Sequence, residues 1–466
     1  MDSDHPKKPS LSSLKTRPLE RNIALTKLGF GAGTKIVAHS IMNIFRGEVE
    51  RTDANREFYR KQAQVLADEL GQLKGSVMKA GQMMSLFGQY FLPEEAVDVL
   101  ASLQDDTPPV DWRVVAPALE AGIGRKRMLE LEIDPEPIAA ASLGQAHRAR
   151  RKSDGLELVV KIQYPGVAAS IDSDIRTLSR LLMMTRLAPK EIDLEPTFAE
   201  VRDMLKREVD YLAEADFTED FGRRLADDRR FVVPRVLRDY SSAAVLTTTY
   251  ETGVSVRDAS VHDLPLARRN RIGHAFMDLF LREFFDWGLV QSDPNFGNYR
   301  FRLGDKAEDD RIVLLDFGAT REFERDFIDA YGHLVAGATL GDRARALRGA
   351  IDIGLMQQAF PDNVKNDFVD LCELITEPFR TADDPRTPPE LRNARSEYRW
   401  GQSRLPMRVA NLGARNALSR YFRVPPREIV FLHRRLAGVF IMLATLDCEL
   451  NARAALFRAL GLQEPA

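Results

Sequence analysis

The stretch "QSDPNFGNYRFRLGDKAEDDRIVLLDFG", residues 291–318, decides how the rest of the chain is read. A carboxylate, Asp293, stands five residues before a carboxamide, Asn298. "NYRFRL" and "RIVLL" then read as the strands of a hairpin over 298–315, joined by "GDKAEDD". The second strand delivers another carboxylate, Asp316, ahead of Phe317 and Gly318. Two carboxylates and an amide brought back together by a hairpin are an oxygen-donor set for a metal–phosphate site. Such donors suit Mg²⁺, which keeps water and leans on one or two carboxylates plus substrate phosphates. On this reading Asn298 and Asp316 hold metal, and Asp293 lies where a nucleophile's proton goes.

D-F-G by itself is a common tripeptide and fits a plain turn equally well, so the order of the flanking pieces matters more. Upstream, "LELVVKIQ" (156–163) alternates across a pleat, with Leu158, Val160 and Ile162 on one face and Lys161 on the other. A lone strand lysine is ordinarily solvated. A helical stretch from about 167 to 226 follows, interrupted near "LAPKEIDLEP", and Glu208 and Glu214 are both placed on the helix after Lys161. Next come two short strands, "VVPRVL" and "AVLTTTYE", and after "TGVSVRD" a mostly helical remainder apart from the hairpin. Strand lysine, helical glutamate, strand connector, D-x-x-x-x-N, hairpin and D-F-G follow the order of a protein kinase. The Pro- and Arg-rich stretch 380–408 reads as a surface loop.

The chain has 466 residues, 44% hydrophobic and 29% charged, with a net charge of −3, which gives no global footprint for nucleic acid. Its 2 cysteines, Cys372 and Cys448, are too few for a disulfide framework or a four-cysteine zinc site, which fits a reducing compartment. The polar start, 1–21, has no apolar signal-peptide core and reads as a disordered lead. Residues 22–45 read either as a helix packed on the main body or as a membrane-surface segment. No apolar run reaches the roughly 18 residues that suggest a membrane span. From about 55 to 104 the pattern is helical, with Leu66, Leu70, Leu73, Val77, Gly81 and Met84 on one buried stripe. Gly81 costs about 1 kcal/mol relative to alanine there, and its lack of a side chain permits a close helix approach. Lys79 and Gln82 point roughly the opposite way.

With these motifs the chain resembles the UbiB-type atypical kinase-like family, also called the aarF-domain or ADCK family, and especially its coenzyme Q branch. The resemblance spans about 60–335. It rests on "KAGQ" (79–82), "LQDDTPP" (103–109), "PIAAASLGQAHRA" (137–149), "VVKIQYPGV" (159–167), "REVDYLAEA" (207–215), "QSDPNFGN" (291–298) and "LLDFGATREF" (314–323). "VPPREIVFLHRRLAGVF" (424–440) is a weaker likeness. Many relatives read H-x-D-P-H-P-G-N at the catalytic loop, where this chain has Gln291, Asn295 and Phe296. The membrane spans of some relatives are missing.

The resemblance implies that Ala139, Ala140, Ala141, Ser142 and Gly144 stand where kinases keep a glycine-rich phosphate loop, and that the alanines change nucleotide preference. It implies an E-x-D motif at Glu208 and Asp210, with Glu214 six residues beyond Glu208. One glutamate pairs with Lys161; spacing does not decide which, and the two have different partners. It also implies that "KAGQ" lies over the nucleotide cleft, where Lys79 meets phosphate or an acidic residue of the E-x-D region, with Gln82 beside it. No arginine precedes Asp293, and "EFERDFIDAYGHL" turns helical soon after Gly318 with no A-P-E segment, which speaks against protein phosphorylation in trans.

These readings lead to an α+β, two-lobed protein-kinase-like fold with a helical N-terminal extension (22–127), an N-lobe with inserted helices (128–252) and a mostly helical C-lobe (253–466). The expected activity is Mg²⁺-dependent ATP binding and hydrolysis in support of ubiquinone biosynthesis, with Asp293, Lys161, Glu208 and Glu214 catalytic. A small-molecule or lipid kinase and a nucleotide-sensing scaffold are the rival readings. Expected partners are ATP or ADP, a lipid or membrane surface and quinone-biosynthesis proteins, without nucleic acid. The expected location is cytoplasmic, peripheral at the inner membrane.

Overall fold

The computed structural model describes residues 79–81, 83–84, 97, 109–185, 194–417 and 425–463. The lead, residues 22–45, Gln82 and most of "LQDDTPP" lie outside the described residues. The chain divides into two compact units: one runs to Asp216 and takes in Arg235–Tyr250, and the other comprises Phe217–Pro234 and the chain from Glu251 onward.

The first unit is built on a four-stranded antiparallel sheet. Its strands are β1 (Leu131–Ala140), β2 (Gly144–Arg151), β3 (Glu157–Gln163) and β5 (Val245–Thr249), in the order β1-β2-β3-β5. Leu158, Val160 and Ile162 of β3 are fully buried, as alternation across a pleat requires. Pro135 and Pro137 sit in β1, an edge strand, and the register shifts on either side of Pro137. An edge strand tolerates proline because only one side must supply a ladder.

Two helices, Val167–Thr185 and Glu195–Glu208, pack together. Ile171, Ile175 and Leu178 of the first and Phe198, Val201 and Leu205 of the second are buried at helical spacing. Glu208 and Glu214 were expected on one helix, and they are not. The chain leaves the helix at Val209, and Asp210 accepts a hydrogen bond from the Ala213 N–H at 3.0 Å to start a new helix, Tyr211–Arg224. A short acceptor side chain satisfying first-turn N–H groups is a strong local reason to restart.

The second unit is mostly helical around a core that includes Phe276, Phe284, Phe301, Phe317, Trp400 and Phe431. The expected hairpin forms as β7 (Tyr299–Arg302) and β8 (Arg311–Leu314), and β4 (Phe231–Val232) joins β8 in parallel. A second small pair, β6 (Leu289–Gln291) with β9 (Thr320–Glu322), brackets the stretch between them. Two residues, Phe323 and Glu324, separate β9 from the helix Arg325–Leu340. The α+β class is as expected.

The stretch 380–408 is not a surface loop. Tyr398, Trp400 and Leu405 are buried, and so are Arg380 and Thr387. Its arginines make this possible by donating to backbone carbonyls where no ladder exists. Arg380 reaches the Arg386 carbonyl at 3.0 Å, and Arg392 reaches those of Arg380 and Thr381 at 2.9 and 3.1 Å. Arg408 adds a two-pronged bond to the buried Glu377, both N···O distances 2.8 Å, with the Tyr398 hydroxyl donating to the same carboxylate at 2.6 Å.

Candidate phosphate and metal residues

In the first unit, Lys161 lies at the centre of the sheet, opposite Ala146 of β2 and Leu246 of β5. Burial of its strand neighbours on one face sends its side chain to the other. There its ammonium donates to both oxygens of Glu214, at 2.9 and 2.8 Å, and stands 5.0 Å from the centroid of the Tyr211 ring. Glu214 is only 3% exposed. It sits in the first turn of its helix, where the helix dipole favours negative charge. Glu208, the last residue of the preceding helix, pairs instead with Lys79 at 2.8 Å. Each glutamate therefore has its own lysine. Ala80, Gly81, Met83 and Met84 beside Lys79 are buried.

The alanine-rich turn joins β1 to β2. Ala141 donates its N–H to the Gly144 carbonyl at 2.9 Å, while Leu143 accepts from the Tyr164 N–H at 3.0 Å. Ala139, Ala140 and Ala141 are exposed, whereas Ser142, Leu143 and Gly144 are buried. Gly144 is required by space: a Cβ there would lie 2.5 Å from the Ile162 carbonyl oxygen and 2.9 Å from the Tyr211 hydroxyl. The turn is thus pinned at its glycine end and presents methyl groups outward.

Sequence reasoning gave no role to Gln145 and His147, which anchor the entering chain to β2. The Gln145 amide accepts from the Val110 N–H at 2.9 Å and donates to the Val110 carbonyl at 3.0 Å, standing in for a strand partner. Its NH₂ also lies 2.9 Å from His147 Nε2, and His147 Nδ1 lies 2.8 Å from the Asp134 carbonyl. An amide donor on one side and a carbonyl on the other put the proton on Nδ1. Burial holds His147 below its ordinary pKa, so the ring is neutral. Polar residues at every second position of a buried strand were the signal available.

In the second unit, β6 ends at Gln291, and Ser292 ties the following turn to the Ala319 carbonyl through its hydroxyl at 2.6 Å and its N–H at 3.2 Å. Asn295 caps a short 3₁₀ turn by accepting from Gly297 N–H at 2.8 Å, and this turn lifts Asn298 back toward Asp293. Asn298 Nδ2 donates to Asp293 Oδ2 at 2.9 Å. Because a carboxylate only accepts, the amide must present its NH₂ to Asp293, which leaves Oδ1 as the donor for a cation. The backbone of Asn298 accepts from Leu315 N–H at 2.9 Å, so Asn298 and Asp316 are carried by the same end of the hairpin. Asp316 Oδ1 accepts from Gly318 N–H at 2.9 Å.

The second oxygen of the Asp293 carboxylate, Oδ1, is held by Arg434 at 2.8 Å. Arg434 belongs to the helix Arg427–Thr445, and on the same helix a Cβ at Gly438 would stand 2.3 Å from the Cβ of Pro294. Only glycine lets the helix lie on the loop after Asp293. The next residue, Arg435, is fully buried with Glu283, its Nε and Nη2 donating to the two carboxylate oxygens at 3.1 and 3.2 Å. Burial pushes the Glu283 carboxyl upward in pKa against the pull of Arg435. Neither arginine was given a role from the sequence.

One amide oxygen and one carboxylate fit a cation that retains water and takes further oxygens from phosphate. Among the described residues no group of three or more His, Cys, Asp and Glu gathers in a metal-binding arrangement. The donor set thus suits Mg²⁺ better than zinc, which takes nitrogen and sulfur ligands.

Residues 102–349 match the ABC1 atypical kinase-like domain. Over 406 residues the chain is 31% identical to the mitochondrial atypical kinase COQ8 of Schizosaccharomyces pombe, covering 87% of this chain and 63% of that protein. It is 30% identical over 452 residues to mitochondrial COQ8 of Saccharomyces cerevisiae, covering 96% and 85%. It is also 30% identical over 431 residues to mitochondrial COQ8B of Rattus norvegicus, covering 91% and 76%. A solved complex of Rv3197 with erythromycin from Mycobacterium tuberculosis shares the fold, with a TM-score of 0.59 at 24% identity over 89% of this chain and 100% of that one. The helix that carries Arg434 and Arg435 lies beyond the matched domain.

Proposed function

The chain belongs to the ABC1 atypical kinase-like family, and from that premise we propose a Mg²⁺-dependent, ATP-hydrolysing enzyme of the phosphotransferase class that supports ubiquinone biosynthesis. The observation that carries this reading is the state of Asp293. One oxygen is fixed by Arg434 and the other by the Asn298 amide, whose own oxygen would then be available to a cation. A carboxylate oriented in this way suits the acceptance of a proton from an attacking hydroxyl or water. Asn298 and Asp316 would hold Mg²⁺, which when bound neutralises charge on the phosphate oxygens.

Lys161 is read as the phosphate contact, oriented by Glu214, and Lys79 with Gln82 as modulators through Glu208. Ala139, Ala140 and Ala141, with Ser142 and Gly144, are read as the turn facing the phosphates. The short passage from β9 to the helix Arg325–Leu340 leaves little chain for a peptide platform, which favours hydrolysis or a small, lipid-like acceptor over a protein substrate. We place its action at the cytoplasmic face of a membrane, among quinone-biosynthesis proteins. Among the described residues, no helix is long and apolar enough to cross a membrane.

The test follows γ-labelled ATP with purified protein, with and without anionic liposomes. Release of labelled phosphate that rises with liposomes is expected. Absence of both nucleotide binding and turnover would remove the reading, and label on a lipid would convert it to a lipid kinase. Asp316→Asn is expected to abolish the Mg²⁺ dependence of the nucleotide-induced rise in melting temperature, because a neutral amide lacks the charge that holds a hard cation.

A further inference from the structure

We propose that Tyr299, Arg435 and Glu283 are positioning residues that fix the backbone of Asp316 by way of Gln291, so that metal affinity at Asp316 is set partly by the helix Arg427–Thr445. This rests on the reading of Asp316 as a metal ligand. The links form a directional chain. The Gln291 amide donates to the Asp316 carbonyl at 3.2 Å. Its own oxygen accepts from the Tyr299 hydroxyl at 3.2 Å, and that hydroxyl accepts from Arg435 Nη1 at 2.6 Å. Arg435 is held in turn by both oxygens of Glu283. Glu283 also accepts from the backbone N–H of Gln291, which closes the chain into a ring that grips Gln291 at both ends.

Each hydrogen in the ring has one destination. A hydroxyl that accepts from a guanidinium must donate elsewhere, and the amide oxygen of Gln291 is its acceptor; the amide NH₂ is thereby forced toward Asp316. All four side chains are buried: Arg435 and Glu283 are 1% exposed, Tyr299 3% and Gln291 4%. Water is therefore kept from the links among these four side chains, while the bond to the Asp316 carbonyl is part-buried. Glu283 stands in a π-helical turn, Arg282–Asp286, a widening of the helix that is often kept for function. A buried ion pair is a poor source of stability, since a well-packed apolar pair of the same volume often serves as well. What the ring does supply is orientation, delivered to the carbonyl of the residue whose carboxylate would face the metal.

The experiment uses the full chain and reads the Mg²⁺ concentration that half-saturates both ATP hydrolysis and the ATP-dependent rise in melting temperature. Tyr299→Phe deletes one hydroxyl from the ring. It is expected to raise the half-saturating Mg²⁺ about tenfold, as loss of a group supporting a metal ligand does, with a moderate fall in the ligand-free melting temperature because a buried guanidinium N–H loses its acceptor. Gln291→Leu should do at least as much, and the double variant should be no worse than Gln291→Leu alone. A parental Mg²⁺ requirement in Tyr299→Phe, or effects that simply multiply in the double variant, would overturn the inference. Those outcomes would leave the metal reading standing as long as Asp316→Asn loses the response. A parent that never responds to Mg²⁺ would remove both.

Discussion

In the first unit the carboxylates beside the candidate phosphate residues are met by lysines, Lys161 on Glu214 and Lys79 on Glu208. In the second unit the acids around the candidate metal residues are met by arginines, Arg434 on Asp293 and Arg435 on Glu283. The cations differ in what they can do. An ammonium is a compact charge on a flexible stem and can exchange one oxygen partner for another, whereas a planar guanidinium fixes direction as well as charge. On the proposed reading, the first unit would allow an exchange of partners, carboxylate for phosphate, and the second would hold oxygens still.

The harshest way to break this contrast is to leave a buried acid without its arginine. Arg435→Met strands Glu283 and is expected to cost about 3–5 kcal/mol in urea unfolding. Adding Glu283→Leu should recover most of that loss while leaving the raised Mg²⁺ requirement in place. Gly144→Ala is next: its Cβ has no room beside the Ile162 carbonyl, and a loss of about 2 kcal/mol is expected from overpacking.

Lys161→Met leaves the 3%-exposed Glu214 without its principal cation, for a loss of about 2 kcal/mol. Lys161→Arg sharpens the comparison, since it should keep much of the stability but weaken ATP binding in calorimetry; parental ATP affinity would show that exchange is not what the lysine is for.

A pH scan probes a smaller effect. Burial holds the folded pKa of His147 below the ordinary histidine value of about 6.5, so as pH falls through about 6.5 the unfolded chain takes up the proton first and stability declines. Melting temperatures between pH 7.5 and 5.5 should fall in the parent and fall less in His147→Gln. Smallest of all, Lys79→Ala should change stability by about 0.5 kcal/mol, because both members of its pair are partly exposed. A change in ATP handling without a change in melting would assign Lys79 to function.

Much of this was legible in short windows. The hairpin at 298–315 and the position of Lys161 follow from alternation over a few residues, and the helix after Gly318 from its periodicity. The helix break at Val209–Asp210 was equally local but was hidden because the residues between Glu208 and Glu214 include no glycine or proline to mark a stop. The pairing of Asp293 with Arg434 spans 141 residues and that of Glu283 with Arg435 spans 152. No periodicity encodes such a match; it follows from how one helix docks. The partly buried stretch 380–408 misled for a related reason, since arginine and proline signal solvent unless backbone carbonyls are known to be waiting for the guanidinium groups.

The close seat of Gly438 on Pro294 has a consequence for the order in which the protein is made. Asp293 leaves the ribosome long before the residue that holds it, and at roughly 5–20 residues per second the 141 residues between Asp293 and Arg434 take on the order of ten to thirty seconds to translate. During that interval the nascent chain carries the loop of Asp293 without its arginine or its helical backing. Translation stopped short of Arg434 would release a chain whose hairpin is complete but whose acid keeps only the Asn298 amide and lacks its arginine. The helix that carries Arg434 is therefore made well after the acid it holds, and on the proposed reading competence waits for it.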